Sequence, residues 1–319
     1  VGARDGHRFA ISSIAEFLVP CDGGGGDTLY RLDRVAVTDL ETGRGSARTS
    51  LLERITTLFP PEILEREPGA KMWLRFGQCR QARLLDSDPW TGRQHATESV
   101  AGGVQSANRR WLGMAQADLA LAELELGAPN GEALLREALQ TLGSLQEDSG
   151  SDFVSLHAAL ALAENRENAG EVRAIVGMVL ARNRDNAYFR LVGHLALSYL
   201  ASAAGLYTEA EAEIRAALSL FMITAPMRLA ALAQLCRVLL HQRRHQEART
   251  VAEEALSALR ARGDVSYQDL RVRLCAVEAR RATGDLAAAK DELRHAMTIL
   301  TARAERISDP LWRERYLEN

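Results

Sequence analysis

Two short stretches of the sequence combine residue types and spacing that could support chemistry. Four glycines at 23–26 suggest a phosphate-binding loop, but such a loop requires a Lys and a Ser or Thr directly after its glycines, and Asp27 stands there instead. His241 and His245 have the spacing at which two imidazoles on one helix bind a metal ion. The repeat pattern described below places a turn at 242–244, between the two imidazoles. We therefore interpret the first stretch as a flexible connection and expect no metal site at the second.

Other catalytic patterns are missing from the sequence. There is no HExxH or GxSxG motif and no kinase-type HRD or DFG. The carboxylates follow Arg and Lys at helical spacing, which is typical of solvated helix faces with ion pairs. His194 lies in an apolar stretch and is interpreted as a hydrogen-bonded packing residue. We expect no enzymatic activity, no cofactor and no bound metal.

The composition excludes several further classes of function. The chain has 319 residues and a formal net charge of -3, which gives no bulk attraction to nucleic acid or an anionic membrane. No apolar run approaches the roughly 20 residues that a bilayer span needs. Four widely spaced cysteines favour free thiols in a reducing cytoplasm over disulfides or zinc: Cys21, Cys79, Cys236 and Cys275. Abundant Ala, Leu, Arg and Glu favour helices throughout.

An internal repeat organises the chain from about residue 107 onward, with a period of about 39 residues against 34 for the standard tetratricopeptide repeat. Each copy combines a helix end, a tight turn and a second helix. Four copies align directly, namely ELGAPNGEALLREAL (125–139), SAAGLYTEAEAEIRAAL (202–218), LHQRRHQEARTVAEEAL (240–256) and RATGDLAAAKDELRHAM (281–297). A fifth copy at 152–181 fills the gap between the first two.

Turn glycines and small residues support this alignment. Gly127, Gly205 and Gly284 stand where a helix ends and the backbone needs a positive φ. Small residues recur where paired helices must cross closely. They are Ala120, Ala159, Ser198 and Cys236 in the first helices and Ala210, Ala248 and Ala289 in the second helices. The pattern predicts an all-α, right-handed α-solenoid of tetratricopeptide-like repeats, with five repeats over 107–305.

The flanking segments are less regular. Residues 1–45 are interpreted as a helix at 7–19 followed by a Gly-rich connection. Residues 46–106 are interpreted as degenerate helical repeats. Their predicted helices are 46–59 with Ser46 as N-cap, 70–85, and 89–102 beginning at Pro89.

The C-terminal segment 306–319 is predicted to form a capping helix. Asp309 and Pro310 are suited to the N-cap and first position of a new helix, and Trp312 and Tyr316 would share one face of it. A solenoid needs its terminal apolar face covered. We therefore expect this face to cover the apolar end of the last repeat, and deletion of 308–319 to cause aggregation.

The first helix of each pair should line the concave surface of the solenoid. The residues that the alignment places there are Tyr199, Arg237, Arg271, Glu278 and Arg281. Three arginines and a tyrosine suit an acidic or mixed peptide. The same residues could also be an ordinary charged surface, and the sequence leaves both interpretations open.

A more specific resemblance covers roughly 88–319. Its segments are DPWTG (88–92), ESVAGGVQSANRRWLGMAQADLALAELELG (98–127), EALLREAL (132–139) and ARAERISDPLWRERYLEN (302–319). They resemble the C-terminal region of large myxobacterial-type serine/threonine protein kinases, in which a kinase domain and an AAA/NACHT-like ATPase precede a tetratricopeptide array. The closing segment matches at Ile307, Asp309, Pro310, Trp312, Arg313, Tyr316, Leu317 and Glu318. Gly102-Gly103 and Arg243 depart from that pattern.

The resemblance implies a regulatory, partner-binding region that follows kinase or ATPase domains in a longer protein, and it transfers no catalytic residue. The expected function is a cytoplasmic, non-catalytic scaffold that binds a protein or peptide and regulates a signalling enzyme. The alternative is a small-ligand sensor of a signalling ATPase or transcription regulator. A sensor would need inward-facing aromatics, for which Tyr188, Phe189 and Tyr199 are the candidates.

Overall fold

The computed structural model describes residues 68–143, 149–220 and 225–319, and the predicted helices at 7–19 and 46–59 lie outside these ranges. The described part contains thirteen α-helices, one 3-10 turn at Arg166–Asn168 and no strand. The helices α1 to α13 are, in order, Pro68–Leu84, Pro89–Gln105, Arg109–Glu125, Gly131–Gly143, Ser149–Leu162, Ala169–Arg182, Ala187–Ala203, Tyr207–Leu218, Ala225–His241, His245–Arg260, Asp269–Ala282, Leu286–Arg306 and Pro310–Glu318. No helix among the described residues is both long and apolar enough to cross a membrane.

The helices stack in two layers. Helices α3 to α12 form five consecutive helix–turn–helix pairs, and α1 and α2 form a further pair before them. The odd-numbered helices from α1 to α11 contact one another in succession and form one layer. Each even-numbered helix up to α12 packs on its own partner, and α2 to α10 also pack on the first helix of the following pair. This is the architecture of a tetratricopeptide-like α-solenoid, as the repeat predicted.

The turns between paired helices have the predicted backbone. Gly127, Gly205 and Gly284 have φ of 79°, 76° and 86°. Arg243 occupies the corresponding turn between α9 and α10 with φ of 61°. A residue with a Cβ pays roughly 1–2 kcal/mol in this left-handed region. The same turn separates the last residue of α9, His241, from the first residue of α10, His245.

Small residues lie at the helix crossings, which confirms their predicted packing role. Ala120, Ala159, Ser198 and Cys236 are buried in the first helices, and Ala210, Ala248 and Ala289 are buried in the second helices. Ser198 also donates its hydroxyl hydrogen to the carbonyl of Ala210, 2.8 Å away, so this buried polar group is satisfied. The thiol of Cys236 lies 3.7 Å from the Cys275 carbonyl.

One buried carboxylate joins the last three long helices. Glu292 of α12 forms ion pairs with Arg260 of α10 at 2.9 Å and with Arg273 of α11 at 2.6 Å. Arg280 of α11 lies 3.5 Å from the same carboxylate. Arg273 is 0% exposed and also pairs with Asp264. The last repeat is therefore held together by a buried ion pair, and Arg260, whose side chain is 53% exposed, links the same carboxylate to the preceding repeat.

The C-terminal helix α13 forms with the predicted start. The Asp309 carboxylate accepts hydrogen bonds from the backbone N–H groups of Leu311 and Trp312 at 2.9 and 3.2 Å, and Pro310 follows the cap. The chain changes direction at Ile307, which has an extended backbone. Arg313 stabilises this bend by donating two hydrogen bonds to the Ile307 carbonyl, at 3.0 and 2.7 Å.

The surface that α13 covers differs from the prediction. Because of the bend at Ile307, Trp312 lies against Arg93 of α2, with 4.4 Å from the guanidinium carbon to the ring centre. The last repeat keeps four large apolar side chains exposed: Leu274 at 50%, Leu286 at 65%, Leu293 at 44% and Met297 at 50%. The expectation that Trp312 and Tyr316 cover the apolar end of the last repeat was therefore wrong.

Candidate binding cavity

The C-terminal segment turns back and forms one border of a cavity on the inner layer of helices. Its volume is about 390 Å³. Its walls come from the end of α1, from α3, α5, α7 and α11, from the turn between α10 and α11, and from α12 and α13. Small-molecule and cofactor pockets typically occupy about 300–1,000 Å³ and combine an apolar lining with a few polar groups.

One part of the lining is aliphatic. Leu121 and Leu124 come from α3, Leu160 and Ala161 from α5, and Leu270 from the start of α11. These residues lie on the first helices of their pairs. Some inward positions of those helices pack in the core, and others face the concave surface. They supply apolar surface that a ligand can cover, at about 25 cal/mol per Å² removed from water.

Three tyrosines provide the aromatic part of the lining. Tyr199 comes from α7, Tyr267 from the turn before α11, and Tyr316 from α13. The Tyr199 hydroxyl donates to the side-chain carbonyl of Gln268 at 3.1 Å. Burial raises the pKa of all three phenols above their usual value. Each therefore remains protonated at neutral pH and can donate as well as accept a hydrogen bond.

The charged groups of the lining are balanced. It contains three arginines and three carboxylates, and each arginine is paired with a carboxylate. Arg83 lies 2.8 Å from Glu125, and Arg271 lies 2.6 Å from Glu164. The third pair joins Arg303 and Asp269, whose Nη1 and Oδ1 atoms are 2.9 Å apart. The pairs leave the lining without a net charge.

The structure brings together three of the five predicted concave residues. The guanidinium carbons of Arg237 and Arg271 lie 5.4 and 5.3 Å from the centre of the Tyr199 ring. Tyr199 and Arg271 line the cavity, whereas Arg237, Glu278 and Arg281 do not. Arg281 is exposed near the end of α11. Arg271 already has Glu164 as its partner, so it is not available as a free cation for an acidic peptide.

The other two candidate aromatics do not reach the cavity. Phe189 is buried in the core, and the Tyr188 hydroxyl lies 2.7 Å from Nε2 of His157. The Tyr188 ring stacks on Phe153 with 5.6 Å between ring centres. Burial lowers the pKa of His157 to about 3, with help from the neighbouring Arg83 and Arg80 charges. His157 is therefore a neutral hydrogen-bonding residue of the interior.

Several lining residues were missed in the sequence. Glu164 follows the end of α5, Tyr267 and Gln268 lie in the turn before α11, and Tyr316 was assigned to a cap. These residues meet only because the solenoid curves and its C-terminal segment turns back. No local pattern marks them, since Glu164 and Arg271 are 107 residues apart along the chain. Within the three described ranges, no group of three or more His, Cys, Asp or Glu residues gathers as metal ligands do.

The fold and the cavity together define an all-α, tetratricopeptide-like solenoid with a cavity on its inner layer of helices. No protein-family model matches the chain, and neither does any curated protein. Similar solved structures exist. The crystal structure of NprR in complex with its cognate peptide NprX has a TM-score of 0.59 and 14% identity, covering 99% of this chain and 92% of that one.

A second similar structure is the TPR domain of P58(IPK), with 12% identity over 97% of this chain and 92% of that one. Its TM-score of 0.27 is too low to support an inference. At 14% identity, the likeness to NprR concerns the fold and not the ligand.

Proposed function

We propose that this chain is a non-catalytic interaction module that binds a short peptide segment in the inner cavity. The observation that carries the proposal is the cavity itself, which is open to solvent on one side, aliphatic in part and lined by three protonated tyrosines. A peptide offers apolar side chains for the aliphatic wall and backbone groups for the phenols. The NprR structure supports the idea by analogy of fold, because that solenoid was crystallised with its cognate peptide.

The balanced charge of the lining favours an uncharged or zwitterionic segment. A strongly acidic peptide would have to compete with Glu164 for Arg271, and a strongly basic one would have to compete with Arg271 for Glu164. Arg271 and Glu164 already neutralise each other in this pair, so neither leaves a net charge that would attract a strongly charged peptide. The proposal therefore narrows the acidic or mixed partner expected from the sequence to a mixed or neutral one.

Binding can be tested with three tetrapeptide pools of net negative, net neutral and net positive charge, measured by isothermal titration calorimetry. We expect heat from the net-neutral pool in preference to the other two. Ala161→Phe places a ring in the cavity and should abolish this binding, whereas Ala212→Phe on the exposed face of α8 should preserve it. Equal binding of the pool by both variants would show that the cavity is not the site.

A small-molecule sensor is the second candidate. It is favoured by the volume of about 390 Å³, which lies within the usual range for metabolite pockets. A compound that binds the folded state raises the melting temperature. A thermal-shift screen with a metabolite collection, in which a hit is lost in Ala161→Phe, would favour this candidate if the tetrapeptide pools bind nothing.

We also propose that the module regulates a cytoplasmic signalling enzyme of the kinase or ATPase type. The support is the sequence resemblance over 88–319, in which the closing residue Tyr316 lines the cavity. The test is to determine whether kinase or ATPase domains are encoded with this region, and whether Ala161→Phe alters their activity.

A further inference from the structure

The C-terminal arm, residues 303–319, reaches across to the opposite end of the described solenoid. It contacts the rim, defined as residues 87–93 and 124–127. Arg303 donates to the Ser87 hydroxyl at 3.2 Å, and Arg306 pairs with Asp88 at 3.4 Å. Trp312 packs on Arg93, as described above. The arm and the rim therefore close the solenoid through residues that lie up to 218 positions apart.

The end of the arm contacts the turn between α3 and α4. The side-chain amide of Asn319 donates to the backbone carbonyls of Leu124 and Glu125 at 3.4 and 3.3 Å. The turn residue Gly127 approaches the carbonyl of Arg315 so closely that a Cβ on Gly127 would lie 2.7 Å from that oxygen. The absence of a side chain at Gly127 is thus required by the docked arm as well as by the backbone of the turn.

The arm is held more weakly than the repeat that carries it. None of the residues in α13 is buried, and the ion pair of Arg306 with Asp88 involves an Arg306 side chain that is 57% exposed. Exposed pairs of this kind contribute about 0–1 kcal/mol each. The last repeat, in contrast, is fixed by the buried Arg273–Glu292 pair. The α13 part of the arm can therefore leave the rim without unfolding α11 and α12, while Arg303 stays in its buried pair with Asp269.

The cavity is complete only when the arm is docked. Arg303, Tyr316 and Asn319 of the arm line the cavity together with Ser87, Leu124 and Glu125 of the rim. A ligand that touches both the arm and the rim has a higher affinity for the closed form than for the open form. Such a ligand shifts the population toward closure by its differential affinity.

We propose that the C-terminal arm is a latch, whose docking on the rim completes the cavity and couples cavity occupancy to the position of the arm. The open form admits a peptide, and the bound peptide holds the arm closed. The position of α13 then reports whether the cavity is filled, and an attached domain can respond to that position. This inference rests on the proposed peptide-binding function and adds its regulation.

The structure offers a matched pair of variants for this test. Gly127→Ala places a methyl group against the Arg315 carbonyl and should displace the arm. Gly205→Ala has nearly the same backbone, with φ of 76° against 79°, but nothing lies within 4 Å of its Cβ. Both variants carry the same left-handed backbone strain of roughly 1–2 kcal/mol. A difference between them therefore isolates the contact with the arm.

The experiment measures the distance from Asn130, beside the rim, to Leu317 on α13 by pulsed electron spin resonance. Both positions are exposed, and the labels are attached through introduced ketone-bearing amino acids so that native cysteines remain unlabelled. In the full chain, Gly127→Ala should lengthen and broaden the distance distribution, and Gly205→Ala should leave it unchanged. The net-neutral tetrapeptide pool should narrow the distribution again. Calorimetry should show at least about fivefold weaker pool binding to Gly127→Ala than to Gly205→Ala, which is the lower end of typical coupling.

Each outcome decides between the proposals. An unchanged distance in Gly127→Ala, or a lengthened distance with equal pool affinity in both glycine variants, would overturn the latch and leave peptide binding intact. A lengthened distance in Gly127→Ala without binding of any pool would support the latch and overturn the peptide as its occupant.

Discussion

At the scale of single residues, the charges around the cavity are neutralised within the chain. Glu164 balances Arg271, and Glu125 balances Arg83. A bound segment therefore gains affinity mainly from apolar contact and from the tyrosine hydroxyls. The sequence placed Arg271 on the concave surface but gave no indication of its ion-pair partner Glu164, which is 107 residues away. The predicted partner therefore included an acidic peptide.

His157 should make the stability of the fold depend on pH. Its pKa is about 3 in the folded chain and about 6.5 when unfolded. As the pH falls below about 6.5, His157 takes up a proton in the unfolded chain but not in the folded chain. The free energy of unfolding therefore decreases until about pH 3. Between pH 7.5 and pH 5, the titration of His157 should lower the free energy of unfolding by about 2 kcal/mol.

Urea unfolding at those two pH values measures the loss. His157→Gln can keep a hydrogen bond to Tyr188 and should reduce the pH-dependent loss by about 2 kcal/mol relative to the wild type. The exposed His295→Gln serves as the control and should leave the loss unchanged. An equal pH dependence in all three proteins would show that His157 is not the responsible group.

Arg243 is a second residue with a measurable energetic consequence. It is exposed and has φ of 61° in a turn where other repeats have glycine. Arg243→Gly relieves strain of roughly 1–2 kcal/mol but adds backbone entropy to the unfolded chain, so we expect a net gain of about 0.5–1 kcal/mol. Thermal unfolding should show a higher melting temperature. The exposed Arg262 does not have a positive φ, and Arg262→Gly should give no gain.

At the scale of helices, much of the structure was predictable from the sequence. The turn glycines, the small residues at crossings and Pro89 at the start of α2 are local signals, because each reflects the backbone or packing of its own helix pair. The surface on which α13 packs was not predictable from such local signals. Its cap residues define where it begins, but the bend at Ile307 and the surface it meets depend on the curvature of the whole array.

The connection between the last three long helices should depend on Glu292. Glu292→Ala removes the buried carboxylate beside Arg273 and leaves this fully buried guanidinium with Asp264, whose side chain is 42% exposed, as its remaining ion-pair partner. We expect a loss of about 3 kcal/mol in the free energy of unfolding, at the lower end for a broken buried pair, measured with urea. Glu254→Ala breaks an exposed pair with Arg228 and should cost at most about 1 kcal/mol. Similar losses in the two variants would contradict a structural role for the buried network.

At the scale of the whole molecule, closure by the arm changes the expected effect of truncation. Deleting 308–319 removes Tyr316 and Asn319 from the cavity wall and takes away a helix in which no residue is buried. We expect the truncated chain to remain as monodisperse as the full chain and to lose binding of the net-neutral tetrapeptide pool. Light scattering and calorimetry measure the two properties, and circular dichroism verifies that the helices persist. Aggregation with retained binding would restore the terminal-cap interpretation.

The contact between arm and rim also changes how the energy of the array is distributed. An open stack of repeats is close to one-dimensional, so its stability is approximately a sum over neighbours and fraying starts independently at each end. In this chain, Arg306 and Asp88 join two ends of the described array that are otherwise remote. Fraying of the last repeat then removes support from α2, and loosening of α2 removes support from the last repeat. The stabilities of the two ends are then coupled, although the exposed Arg306–Asp88 pair contributes only about 0–1 kcal/mol to this coupling.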